Sequence, residues 1–128
     1  MNYYFSRTLD MAFDESVAYV VDALKREGFG IVSDIDVQAT LKQKIGVDFR
    51  PYRILGACNP TLAHEALLAE DKVGTMLPCN VVVQAWNDHS VEVAAIDPLA
   101  SMQAIANPAL EAKARDVRAR LRKVVDSL

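Results

Sequence analysis

The ten residues from Leu77 to Trp86 (L-P-C-N-V-V-V-Q-A-W) constrain the fold more than any other part of the chain. Successive side chains of a strand point to opposite faces, so a strand with one wet face alternates apolar and polar residues. Here Val81, Val82 and Val83 follow one another and Cys79 and Ala85 flank them, which makes both faces nearly apolar. Such a strand belongs at the centre of a sheet or beneath helices. Its polar interruption is Asn80, whose amide, if buried, must find hydrogen-bond partners or cost roughly 1–3 kcal/mol.

The remaining elements are set around this strand. Tyr3, Tyr4, Phe5 and Thr8 predict a first strand over about 2–8. Phe13, Val17, Val20, Val21 and Leu24 recur at helical spacing. Asp14 and Glu15 suit the start of that helix, Lys25 and Arg26 suit its end, and Gly28 stops it. A second strand over 29–35 leads to Asp34 or Asp36 as the cap of a helix carrying Val37, Leu41 and Ile45, closed by Gly46. Pro51 precedes a third strand over 52–58. Asn59-Pro60 then reads as a helix start, because asparagine accepts from free backbone N–H groups and proline has none to waste. That helix carries Leu62, Ala63, Ala66 and Leu67 and is expected to fray near Asp71. After the strand at 77–86, residues 87–90 make a hairpin loop and 91–96 a fifth strand. Asp97-Pro98 opens a short helix expected to end near Asn107-Pro108, where a last helix begins. The order βαβαβαββαα makes residues 1–128 a single α+β domain. It predicts a single, mainly antiparallel sheet of about five strands with helices largely on one face.

Composition excludes several classes. The longest uncharged run, residues 73–87, holds 15 residues with Gly, Pro and Asn among them, whereas a membrane span needs roughly 20 apolar ones. The first residues lack the basic head and apolar core of a signal peptide, so a cytoplasmic location with two reduced cysteines is expected. The net charge of −3 argues against general affinity for nucleic acid. That charge is uneven, −6 over residues 1–109 and +3 over residues 110–128. The basic excess lies on the last helix, where Leu110, Ala114, Val117, Leu121, Val124 and Leu128 form a heptad seam with Arg115, Arg118 and Arg122 beside it. No aromatic side chains interleave with these arginines to stack bases, so they are expected to pair locally with Glu111 and Asp126.

Chemistry concentrates in two dipeptides, Cys58-Asn59 and Cys79-Asn80. Their 21-residue spacing fits neither a zinc finger nor a Cys-x-x-Cys redox pair, and no metal or cofactor is expected. Cys58 precedes a helix start, where free N–H groups and the dipole favour a thiolate or an incoming anion. If the third and fourth strands are antiparallel, Cys79 lies at the same end of the sheet. Cys58, Asn59, Cys79 and Asn80 are therefore the expected lining of a pocket for a small anionic or polar ligand, with His64 at its edge. Simpler roles stand beside this one. Both cysteines serve as small core residues, Asn59 as a cap, and His64 as an ordinary surface histidine. His89, in the hairpin loop, is expected to be solvated. Asp34 and Asp36 would suit a cation but serve equally as strand-end caps.

The segments R-I-L-G-A-C-N-P-T-L-A, V-G-T-M-L-P-C-N-V-V-V and E-G-F-G-I-V-S-D-I-D-V together resemble an uncharacterised prokaryotic family, domain of unknown function 302. The resemblance covers nearly the whole chain. It implies a compact fold related to that of TATA-binding protein and a homodimer, and it supplies no reaction, cofactor or catalytic residue. Fold likeness to a DNA-binding protein does not carry DNA binding with it. The leading expectation is a small-ligand binding or sensing module. The alternatives are a thiol-dependent enzyme using Cys58 or Cys79 and an interaction module working through the terminal helix.

Overall fold

The computed structural model describes residues 2–128. Its five strands are β1 (Tyr4–Leu9), β2 (Gly30–Asp36), β3 (Tyr52–Cys58), β4 (Cys79–Asn87) and β5 (Ser90–Ile96). They form one sheet in the order β1-β5-β4-β3-β2, with every neighbouring pair antiparallel. The apolar β4 is the middle strand. Five helices join them: α1 (Phe13–Arg26), α2 (Val37–Ile45), α3 (Pro60–Ala69), α4 (Pro98–Ser101) and α5 (Pro108–Asp126).

Register places Leu55, Val81, Ala95 and Phe5 in one row across the sheet, with Val83 beside Val93 in the next. This face packs against Val20, Ala23 and Leu24 of α1 and Leu121, Val124 and Val125 of α5, all buried. Each fully buried valine or leucine contributes about 1.5–3 kcal/mol, so this face dominates stability. The opposite face carries half-buried Tyr52, Val82, Gln84, Ala94 and Ile96, with Trp86 56% exposed. There the Arg50 guanidinium lies 4.2 Å from the Trp86 ring and 4.4 Å from the Phe49 ring, and its Nε donates to Gln84 Oε1 at 2.9 Å.

Helix starts follow the local chemistry. Asp36 Oδ1 accepts from Ala39 N at 2.9 Å and caps α2. Asp34 instead pairs with Arg53, whose hydrogen bonds hold the Asp34 carboxyl below its usual range. Asn59, Asp97 and Asn107 cap α3, α4 and α5, each followed by proline.

Three expectations change. α3 ends at Ala69 and a 3-10 helix over Asp71–Met76 replaces the fraying end, so β4 begins at Cys79 and not Leu77. α4 ends at Ser101, well short of Asn107. The α5 seam is not available to a partner: Leu110, Leu121 and Val124 are buried within this chain's own cores, and Ala114 is buried beside them. The amphipathic stripe meets the sheet and α3, which satisfies it inside one molecule.

Candidate functional site

At one end of the sheet β3 turns directly into α3, with Cys58 as the last strand residue and Asn59 as the cap. Asn59 Oδ1 accepts from Leu62 N at 3.1 Å, which fixes the direction of its amide. β4 starts beside this corner, because Ala57 and Cys79 are register partners. α5 lies along α3, tied by Lys113 Nζ to Glu65 Oε2 at 2.8 Å and by Asn107 Nδ2, which donates to Ala69 O at 2.8 Å.

A half-open cavity of about 320 Å³ remains between these elements. Ala57, Cys58 and Cys79 line its strand side, Leu62, Ala63, Ala66 and Leu67 its α3 side, and Leu110, Ala114 and Val117 its α5 side. Leu77, Pro78 and Met102 also line it. It lies where the main core, containing Ala57 and Cys79, meets a smaller cluster built on Ala66, Val73 and Leu110. The space persists because small residues, Ala63, Ala66, Gly74 and Ala114, stand where larger ones would interdigitate. The lining is almost wholly apolar; its polar side chains are Asn59 and Lys113, both half-buried.

Burial pushes the Cys79 thiol up to about 11, with the neighbouring Cys58 adding to the rise. At neutral pH Cys79 is therefore a protonated, soft wall and not a nucleophile, since the thiolate is the reactive form. Cys58 is partly exposed and unpaired. Beside the rim, Gly28 has φ +87°, and a Cβ there would come within 3.0 Å of Asn59 Nδ2 and 3.7 Å of Arg120 Nη1. A side chain at this position would be both strained and crowded against the α3 cap.

Of the five residues singled out in the sequence, Cys58, Asn59 and Cys79 meet at this cavity. Asn80 does not. It is exposed on the opposite face of the sheet, in register with Gly56, because one step along a strand reverses the side chain. His64 is exposed on α3 and outside the lining, so it makes no Cys-His pair there. Lys113 escaped notice in the sequence because it sits one position before Ala114 of the seam and reads as an ordinary surface lysine. The facing alanines of α3 and α5 were a visible signal, but only tertiary packing sets them opposite each other.

The arginine row is ion-paired: Arg115 with Glu111 at 2.7 Å, Arg118 with Asp97 at 3.1 Å and Arg122 with Asp126 at 3.7 Å. Among the described residues no group of three or more His, Cys, Asp or Glu side chains is placed to hold a metal ion. No helix there is long and apolar enough to cross a membrane.

No curated protein matches the chain. Among solved structures it is similar to the crystal structure of an uncharacterized conserved protein DUF302 from Bacillus stearothermophilus, at 30% identity over 98% of each chain and a TM-score of 0.89. The sequence pattern of one family matches residues 5–128, and with that extent the chain belongs to the family described as Domain of unknown function DUF302.

Proposed function

We propose that this chain is a small-ligand binding module whose site is the cavity between β3, α3 and α5. The observation that carries the proposal is the half-open 320 Å³ space with an apolar lining that includes both cysteines. Binding sites are typically concave and mostly apolar, with a few polar groups that fix orientation. The lining favours an apolar body in the ligand over the small polar or anionic one that the helix start alone suggested. Cytoplasmic action is part of the proposal, and the unpaired state of Cys58 and Cys79 supports it. A thiol-dependent reaction draws less support, since Cys79 is protonated and His64 stands outside the cavity. The neutral fluorophore N-phenylnaphthylamine tests the site. Saturable one-to-one binding is expected, and it should vanish in Ala63→Phe, which fills the cavity, while the circular-dichroism melt is retained. Failure of this probe and of eight-carbon aliphatic ligands alike to bind the native chain would overturn the proposal.

We also propose a homodimer, formed through the uncovered sheet face and not through α5. Tyr52, Val82, Ala94 and Ile96 give that face an apolar centre, and Tyr3 and Trp86 project from it, 64% and 56% exposed. A twofold dimer needs one self-complementary patch. Five strands about 4.8 Å apart and about seven residues long at about 3.3 Å each offer a patch of the order of 500 Å² before side-chain relief, near the lower end of stable interfaces. Light scattering should give twice the 14.1 kDa chain mass, and Val82→Glu should give the monomer. A native chain that remains monomeric at micromolar concentration refutes the dimer.

A further inference from the structure

The cavity's rim says more about the ligand than its interior does. Its volume, about 320 Å³, is roughly twice that of an engineered cavity of about 150 Å³ that holds one benzene. Two polar side chains reach the lining, and both present donors. Asn59 has its Oδ1 committed to Leu62 N, and its Nδ2 lies beside Gly28, so it anchors the corner more than the cavity. Lys113 Nζ carries a full charge and leans on Glu65, a half-exposed carboxylate that an incoming one can share or replace. Arg120 stands close to Asn59 across Gly28. A ligand amine would meet Glu65, already neutralised by Lys113, whereas a ligand carboxylate meets a lysine. Charge-assisted hydrogen bonds of that kind are about twice as strong as neutral ones.

We propose that the cavity takes a compact amphipathic carboxylate, with an apolar body of about eight to ten carbons inside and its acid group at the rim, accepting from Lys113 Nζ. This rests on the reading of the cavity as a ligand site and names the ligand's class. The body is held by shape and apolar contact, and the head by the lysine that α5 presents at the rim. Discrimination between acids and neutral molecules of equal length follows from the head alone.

The test compares octanoate with 1-octanol, which share an eight-carbon chain and differ in the head group, by calorimetric titration of the full chain at neutral pH. Octanoate is expected to bind at least tenfold more tightly. Lys113→Met should reduce octanoate to the level of 1-octanol, and Lys113→Arg should keep the preference. Glu65→Gln, which removes the competing carboxylate, should strengthen octanoate alone. Equal affinity for the two ligands, or an unchanged preference in Lys113→Met, overturns the inference while the cavity still stands as an apolar site. Failure of octanoate, 1-octanol and N-phenylnaphthylamine together overturns both.

Discussion

Cys58-Asn59 and Cys79-Asn80 are one dipeptide in two backbone settings. In the first, a strand is ending and a helix starting, so the chain turns and both side chains reach the same cavity. In the second, the dipeptide lies inside a strand, and the two side chains part to opposite faces of the sheet. Cys79 goes to the cavity and the core, 7% exposed, whereas Asn80 goes to the uncovered face. A motif seen twice in a sequence is therefore not a site seen twice. What decides is the period of the local backbone, two in the strand and broken at the corner.

The largest expected contrast is between the thiols. With its pKa raised from an ordinary 9.0 to about 11, Cys79 should carry roughly a hundredfold less thiolate at pH 8 in the folded chain than after unfolding. Iodoacetamide labelling followed by mass spectrometry should modify Cys58 first and reach Cys79 only on denaturation or as pH approaches 11. The sign for stability follows: the folded thiol holds its proton longer than the unfolded one, so its contribution is full below about pH 9 and is lost as pH rises toward 11. Equal labelling rates at pH 8 would break the comparison.

The asparagines should differ in the opposite sense. Asn59→Ala removes the α3 cap and should lower stability by about 1 kcal/mol in urea unfolding. Asn80→Thr, on an exposed strand position, should stay within about 0.5 kcal/mol of the native chain. A larger loss at Asn80 than at Asn59 would mean that the exposed amide has a partner, and the uncovered face would be the first place to seek it.

The helix starts were legible because a cap bonds only two or three residues ahead. Asn59 to Leu62, Asp97 to Leu99 and Asn107 to Ala109 are all such contacts. The central place of β4 was legible for a related reason: its run of valines lacks the apolar–polar alternation of a strand with one plainly wet face. Asp34 and Asp36 were not separable this way, since either can cap. The choice of Asp36 was made by Arg53 on the neighbouring strand, which claims Asp34. The α5 seam was legible as a seam but not as to its partner, because an apolar stripe fits a sheet, a neighbouring helix or another chain equally well.

By itself, then, the sequence determined the kind and order of the main elements, the Asn59, Asp97 and Asn107 caps, and the absence of a long apolar span. These depend on interactions within a turn of helix or a few strand residues. Only tertiary structure decided the strand order, the burial of α5 inside its own molecule, the separation of Asn80 from Cys79's cavity, and the pairing of Lys113 with Glu65 at its rim. Those outcomes join residues far apart in the chain, and sequence spacing does not specify which of many compatible surfaces meet. The cavity belongs to the second group: it is the space left when α3 and α5 present alanines to each other above the end of β3 and β4.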